Sequence, residues 1–337
     1  MGDTKYYLDF KEMCRTSLLG ELVSKPKLLT GGLLHRMFAV ETTQGKYAIK
    51  LLNPEIMKRP TAFQKYLNSE KVSNFVSNFV PAISAEKINE DFIQRVNDQY
   101  YLVFKWLDGE TLRQINIDNR HCEEIGRILA DIHMTDFSSL GITNEINDKN
   151  HIIDWDYYLE KGKDERLEWV EILLENIDNL KKWNSIATEA NQVLALNMVI
   201  SHRDLDPKNV MWKHYKPVLI DWESAGFINP MHDLIETALY WSTSEIGEID
   251  KQKFFSFIRG YKERYGEVHS DWRRVLSNGL NGKLDWLEYS LKRSLWIECT
   301  DEEEHKMGTE QVTGTINEIK NYTNQIPKLL NWLNKEL

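Results

Sequence analysis

Residues 201–209, SHRDLDPKN, decide how the rest of the chain is read. They follow a short apolar run, NMVIS (197–201), with the composition of a strand. Within them His202, Asp204 and Asn209 stand in the order H-x-D-x-x-x-x-N. A carboxylate at the third position can accept the proton of an attacking hydroxyl, and an amide oxygen five residues later can serve a hard cation. The next stretch, VMWKHYKPVLIDWE (210–223), sets two β-type runs, 210–212 and 218–221, about a turn at 213–217. Pairing of those runs brings Asn209 and Asp221 to the same end, which makes Asp221 the carboxylate ligand of magnesium. Any one of these residues alone reads as an ordinary polar residue of a loop. It is their joint spacing, with a strand before and a hairpin after, that argues for phosphoryl transfer.

Upstream, YAIK (47–50) puts Ala48 and Lys50 two apart on a strand, hence on one face. The small residue leaves room for a base and the ammonium reaches phosphates. The runs RMFAVETT (36–43) and KYAIKLL (46–52) flank a turn expected at Gln44-Gly45. Gly31 and Gly32 precede that hairpin and can bring bare backbone close to phosphate, although a simple turn explains them too. Residues 64–80 read as a helix with Val72, Phe75, Val76, Phe79 and Val80 on one face and Pro81 at its end. Glu70 lies on that helix, off the main apolar face, and is the candidate to fix Lys50 by an ion pair. Glu55, in a proline-containing loop, is the second candidate. QYYLVFKWL (99–107) reads as a buried strand whose end, at Lys105 and Leu107, offers extended backbone to the nucleotide base.

A chain of 337 residues exceeds what one core usually serves. We expect an N-terminal nucleotide-binding lobe, 1–107, with the hinge at its end, and a C-terminal catalytic and substrate-binding lobe, 108–337. Residues 1–107 carry 15 basic and 11 acidic side chains, and the remainder 27 and 41. That asymmetry suits an anionic co-substrate and a cationic small-molecule acceptor. No basic stripe points to nucleic acid, no apolar run spans a bilayer, and nothing indicates a protein partner. Three separated cysteines without CxxC argue against a disulfide framework or a zinc site and fit the cytoplasm. Beyond residue 108, Ile125, Ile128, Leu129 and Ile132 keep helical spacing, and NPMHDLIETALYW (229–241) opens as a helix does, with Asn then Pro. Strands early and helices late make the class α+β. ECTDEEE (298–304) holds five carboxylates in seven positions. Glu298, Glu302 and, beside the metal motif, Glu223 are candidates to bind a cation, with Trp222, Trp286 and Trp296 as aromatic walls. A solvated charge run and core tryptophans are the competing reading.

The stretches GGLLHRMFAVETTQGKYAIKLL, YYLVFKWLDGETL, SHRDLDPKNVMW and VLIDWESAG, followed by HDL, resemble in order the aminoglycoside phosphotransferase and choline kinase family of small-molecule kinases, over roughly residues 28–240. The resemblance implies a protein-kinase-like bilobal α+β fold, with a small β-rich N-lobe and a larger helical C-lobe. It implies Asp204 as catalytic base, Asn209 and Asp221 as Mg2+ ligands, Lys50 on the phosphates of ATP or GTP, Glu70 as the helix glutamate, and Asp233 as a brace for the catalytic loop. The chain departs from protein kinases at Asp206, where a basic residue would stand, and at IDWE in place of Asp-Phe-Gly. Fewer than ten residues separate Asp221 from Pro230, which leaves no room for an activation segment. The implied activity is phosphorylation of a hydroxyl on an aminoglycoside-type antibiotic, hence antibiotic resistance. A kinase of choline, an amino alcohol or a sugar is the alternative, and a non-catalytic nucleotide-binding module the next.

Overall fold

The computed structural model describes residues 7–29, 34–144, 152–213 and 215–337. In chain order it contains α1 (Phe10–Thr16), β1 (Lys27–Leu29), β2 (Arg36–Thr42), β3 (Gly45–Leu51), α2 (Pro54–Met57), α3 (Ala62–Val76), β4 (Gln94–Val96), β5 (Gln99–Lys105), β6 (Glu110–Thr111) and α4 (Asn119–Met134). There follow α5 (Trp155–Glu165), α6 (Val170–Leu194), β7 (Val199–Ser201), β8 (Val210–Lys213), β9 (Lys216–Leu219) and β10 (Gly226–Ile228). The chain ends in α7 (Pro230–Ser242), α8 (Lys251–Tyr265), α9 (Trp272–Asn278), α10 (Leu280–Ser294) and α11 (Glu302–Glu336). None of the described helices is long and apolar enough to cross a membrane.

Packing groups the chain into two compact units, 1–116 with 135–142 and 202–226, and 117–134 with 143–201 and 227–337. These units interleave along the chain, unlike the contiguous lobes 1–107 and 108–337 proposed from the sequence. The physical reason is main-chain bonding. The Leu219 amide donates to the Pro81 carbonyl at 2.8 Å, and the Ile83 amide donates to the Leu219 carbonyl at 3.0 Å. The β8–β9 hairpin, with the loop before it, is thereby tied to the segment after α3.

The first unit holds an antiparallel sheet of order β1-β2-β3-β5-β4. Side chains alternate faces along each strand. Ile49, Leu51, Tyr101 and Val103 join Met13 and Cys14 of α1 in one core, while Leu102 joins Ile56, Tyr66 and Phe92 in another. Lys50 pairs directly across from Leu102, so the lysine shares the face that looks toward Tyr66 of α3. The β2–β3 turn falls on residues 43–44, one position earlier than expected, because Thr42 pairs with Gly45. Helix α3 ends at Val76, well short of Pro81. Ser77 Oγ donates to the Asn74 carbonyl at 2.8 Å and Asn78 Nδ2 to the Phe75 carbonyl at 2.9 Å, so side chains take the last carbonyls and end the helix. Phe79, expected on the apolar face, is 63% exposed. A second, three-stranded sheet runs β6-β8-β9. A Cβ on Gly109 would meet the Trp212 carbonyl oxygen at 3.0 Å, so that crossing favours glycine.

The second unit is helical around a core that includes Trp155, Trp169, Leu173, Leu284, Leu287, Leu291 and Ile316. Asp233 accepts from His133 Nε2 at 2.9 Å, and His133 Nδ1 lies 2.8 Å from the Tyr261 hydroxyl. Asp233 therefore ties α7 to α4 and α8 through a buried histidine. Burial would raise its carboxyl, but the bond from His133 brings it below the ordinary range.

Candidate active site

Loop 202–209 is held by its own side chains. His202, 0% exposed, donates from Nε2 to the Ile220 carbonyl at 2.9 Å and accepts the Asp204 amide at Nδ1, 3.3 Å. Its ring packs 4.5 Å from that of Trp222, which is buried in the first unit and forms no open aromatic wall. Arg203 turns the chain at φ 66°, in the left-handed region. Asp206, the departure from the protein-kinase pattern, accepts the Lys208 amide at 2.9 Å and so caps the turn at 207–209. Asn209 donates through Nδ2 to the Asp204 carbonyl at 2.8 Å and to Asp204 Oδ2 at 2.9 Å. Those bonds orient the amide, and its Oδ1 is the atom turned from Asp204. Burial raises the Asp204 carboxyl to about 6, against the pull of Lys208.

The hairpin read from the sequence is present, with Val210 opposite Leu219. One step beyond that pair the Ile220 amide donates to the Asn209 carbonyl at 2.9 Å. Asp221 follows at once, at φ 62°, and that left-handed turn redirects the chain.

Two carboxylates converge on Lys50. The residue is 6% exposed, and its ammonium donates to Asp221 Oδ1 at 2.6 Å and also to Glu223 Oε2. Burial works against the charge, but Asp221 and Glu223 hold the lysine above its ordinary range. Burial likewise opposes the Asp221 charge, yet Lys50 draws that carboxyl below its usual value. The Glu223 carboxyl goes the other way, raised by burial despite Lys50. Glu223, a candidate for the acceptor, thus stands on the lysine instead. His35 and Tyr66 complete the cluster, with His35 Nε2 2.5 Å from the Tyr66 hydroxyl and 3.4 Å from Glu223 Oε2. Neither was legible in the sequence, since an isolated histidine after GGLL and a tyrosine within a helix carry no spacing signal.

Glu70 does not pair with Lys50. Its Oε2 accepts the Ala85 amide at 2.7 Å, with Ser73 Oγ at 3.5 Å, so it latches the segment after α3. Burial pushes its carboxyl up to about 7, although the Ala85 amide and the Lys50 charge pull it back. A raised folded value means that this group's contribution to stability is complete below about 4.5 and is lost as pH rises through about 7. Glu70→Gln removes that dependence. The melting temperature of the variant relative to the parent is expected to climb from pH 5 to pH 8, and a difference flat across that window rejects a buried neutral carboxyl.

The remaining candidates are dispersed. Lys105 sits at the end of β5 with its ammonium 3.4 Å from Glu86 at the surface. Among the described residues the Leu107 amide and carbonyl make no backbone–backbone hydrogen bond. Gly31 and Gly32 lie outside the described residues. Glu298 and Glu302 belong to the second unit, Glu298 in the connection after α10 and Glu302 at the start of α11. Asp301 caps that helix by accepting the Glu304 amide at 2.9 Å, and Glu304 in turn accepts the Thr300 amide at 2.8 Å. Negative charge in a first helical turn is favoured by the helix dipole, which accounts for Glu302 without any acceptor. Glu298 Oε1 lies 3.9 Å from Lys292. Trp296, 51% exposed, stacks on His305 at 4.6 Å, and the Trp286 ring lies tilted at 49° to that of Tyr289.

Among the described residues no three His, Cys, Asp or Glu side chains form a metal cage. Asp221 and Asn209, which the hairpin brings to one end, offer oxygen atoms instead. That fits magnesium, a cation that completes its shell with phosphate oxygens and water.

The model of the phosphotransferase enzyme family matches residues 25–275. No curated protein sequence matches the chain significantly. Among solved structures, a spectinomycin phosphotransferase in complex with ADP and spectinomycin is 11% identical, with a TM-score of 0.64 over 93% of this chain and 97% of that one. An ethanolamine kinase of Plasmodium vivax is 16% identical, TM-score 0.58, over 86% and 81%. A choline kinase of Cryptosporidium parvum is 15% identical, TM-score 0.55, over 96% and 98%. Likeness at this level of identity shows the fold, and it is the expected α+β, protein-kinase-like fold of small-molecule kinases.

Proposed function

Because the chain belongs to the phosphotransferase enzyme family, we propose that it moves the terminal phosphoryl group of ATP or GTP to a hydroxyl of a small, cationic molecule, most readily an aminoglycoside-type antibiotic. The observation that carries this reading is the convergence of Asp204, Asn209, Asp221 and Lys50 within one compact unit. In it Asp204 accepts the proton of the attacking hydroxyl, while Asn209 fixes its orientation. Lys50 brings a cation to the phosphates, and the backbone at Leu107 meets the base. Asp221 and the Asn209 oxygen would hold magnesium, which supplies charge neutralisation at the transferring group when bound. The short connection from Asp221 to the Asn229 cap of α7 supports a small acceptor over a protein.

Acceptor class rests on charge. The acidic excess after residue 107 favours cations by focusing them, an effect that salt screens. Spectinomycin, choline and ethanolamine, named for the similar structures, are accordingly the first acceptors to try. The experiment is a screen of hydroxylated amines for stoichiometric release of ADP or GDP. A productive acceptor is expected to carry an amine, with a KM that rises with ionic strength more than that of the nucleotide. A neutral sugar used equally well, without a salt effect, refutes the cationic acceptor. Nucleotide bound but never turned over with any acceptor supports the non-catalytic module.

A further inference from the structure

We infer that Glu223, aimed by His35, is the carboxylate that positions Lys50, and that Glu70 is not. The inference rests on the kinase reading only in taking Lys50 as the lysine on the phosphates. An ammonium has three donors. Asp221 and Glu223 each receive one, from residues two apart on a single turn, so one N–H is left to point at a ligand. The turn is set by Asp221 at φ 62° and closed by the Ala225 amide donating to the Trp222 carbonyl at 2.8 Å.

Glu223 is in turn held from behind. The Asn53 amide donates to His35 Nδ1 at 2.9 Å, so the proton of this buried ring sits on Nε2. That N–H faces both the Tyr66 hydroxyl, 2.5 Å away, and Glu223 Oε2, 3.4 Å away, the oxygen that also takes Lys50. Asn53 is itself fixed, because its side chain accepts the Glu55 amide at 2.9 Å as the cap of α2. A chain of bonds thus runs from a helix cap through an imidazole to the carboxylate on the lysine. Glu70 has a different occupation, since its Oε2 accepts the Ala85 amide at 2.7 Å, with the Ser73 hydroxyl at 3.5 Å. In this arrangement the lysine partner comes from the turn beside the metal motif, and it can keep Lys50 oriented when Asp221 is engaged with a cation.

The test has two arms. One needs no nucleotide and compares melting temperatures of Lys50→Met, Glu223→Gln, Glu70→Gln and the doubles Lys50→Met/Glu223→Gln and Lys50→Met/Glu70→Gln. The first double is expected to lose several degrees less than the sum of its singles, whereas the second stays close to additive. The other arm follows release of ADP from magnesium-ATP with water as acceptor. Glu223→Gln and His35→Ala are each expected to lower kcat by about 10–100-fold with little change in nucleotide affinity, as loss of an outer-shell orienting contact does. Their double is expected to fall no further than Glu223→Gln alone. Additive losses for Lys50 and Glu223, or stronger coupling of Lys50 to Glu70, overturn the assignment. So does loss of the magnesium dependence of nucleotide binding in Glu223→Gln, which makes Glu223 a cation ligand. If the parent neither binds nucleotide nor releases ADP, the kinase reading falls, and the melting arm still decides between Glu223 and Glu70.

Discussion

Asp204→Asn is expected to retain nucleotide binding and lose about 10²–10⁴ in turnover, the usual worth of a positioned general base. The loss corresponds to about 3–5 kcal/mol of transition-state stabilisation. Asparagine keeps the shape of the side chain, and an amide oxygen can still accept from Asn209 Nδ2, so the loop has no reason to rearrange. What disappears is the ability to take up the proton of the attacking hydroxyl. The carboxyl is suited to that task, because burial has raised it to about 6, closer to working pH than an exposed aspartate. The measurement is kcat in saturating nucleotide and acceptor, alongside nucleotide affinity. Turnover within about threefold of the parent would remove Asp204 from the role of base, since a positioned base is worth at least about a hundredfold.

Asp221→Asn is expected to abolish the strengthening of nucleotide binding by magnesium and to lower kcat by about 10²–10³ or more, the cost of removing one preorganised electrostatic contact. Asparagine is the substitution of choice because residue 221 sits at φ 62°, where Asn is tolerated and Ala is strained. The change removes one negative charge from a cluster in which Lys50 serves two carboxylates. Glu223 remains to hold the lysine, so the variant is expected to fold. Calorimetric titration of nucleotide with and without magnesium makes the comparison. Should magnesium still tighten binding in the variant as in the parent, Asp221 is no ligand and the pairing of Asn209 with Asp221 has another purpose.

The sequence carried most of the proposed site because that site depends on local spacing. His202, Asp204 and Asn209 fall within one loop, and Asp221 is brought beside Asn209 by a hairpin whose strands and turn are contiguous in the chain. Strand pairing is periodic, so the residue at the far end of the hairpin could be read by counting. The same holds for Lys50, which shares a strand face with Ala48 while Ile49 and Leu51 lie on the other, in the core with α1. Helix ends were less legible. Whether α3 stops at Val76 or runs on to Pro81 depends on which side chains capture the last carbonyls, and Ser77 and Asn78 compete with the helix for that role.

By itself, the sequence determined the α+β class, the family and the order of the four residues proposed for catalysis, since each is a matter of short-range pattern. Only the tertiary structure decided who partners whom. Glu70 and Glu223 are both glutamates that a linear reading could assign to Lys50 or to an acceptor. The fold sends Glu70 to the Ala85 amide and Glu223 to the lysine, with His35 and Tyr66, 31 residues apart in the chain, closing in. The carboxylates at 301–304 likewise gained a structural place only with helix α11, which Asp301 caps and whose first turn holds Glu302, Glu303 and Glu304. A buried charge or hydrogen-bonding group must find a partner wherever the fold puts one within reach. That choice is made by distances in space, which spacing along the chain does not encode.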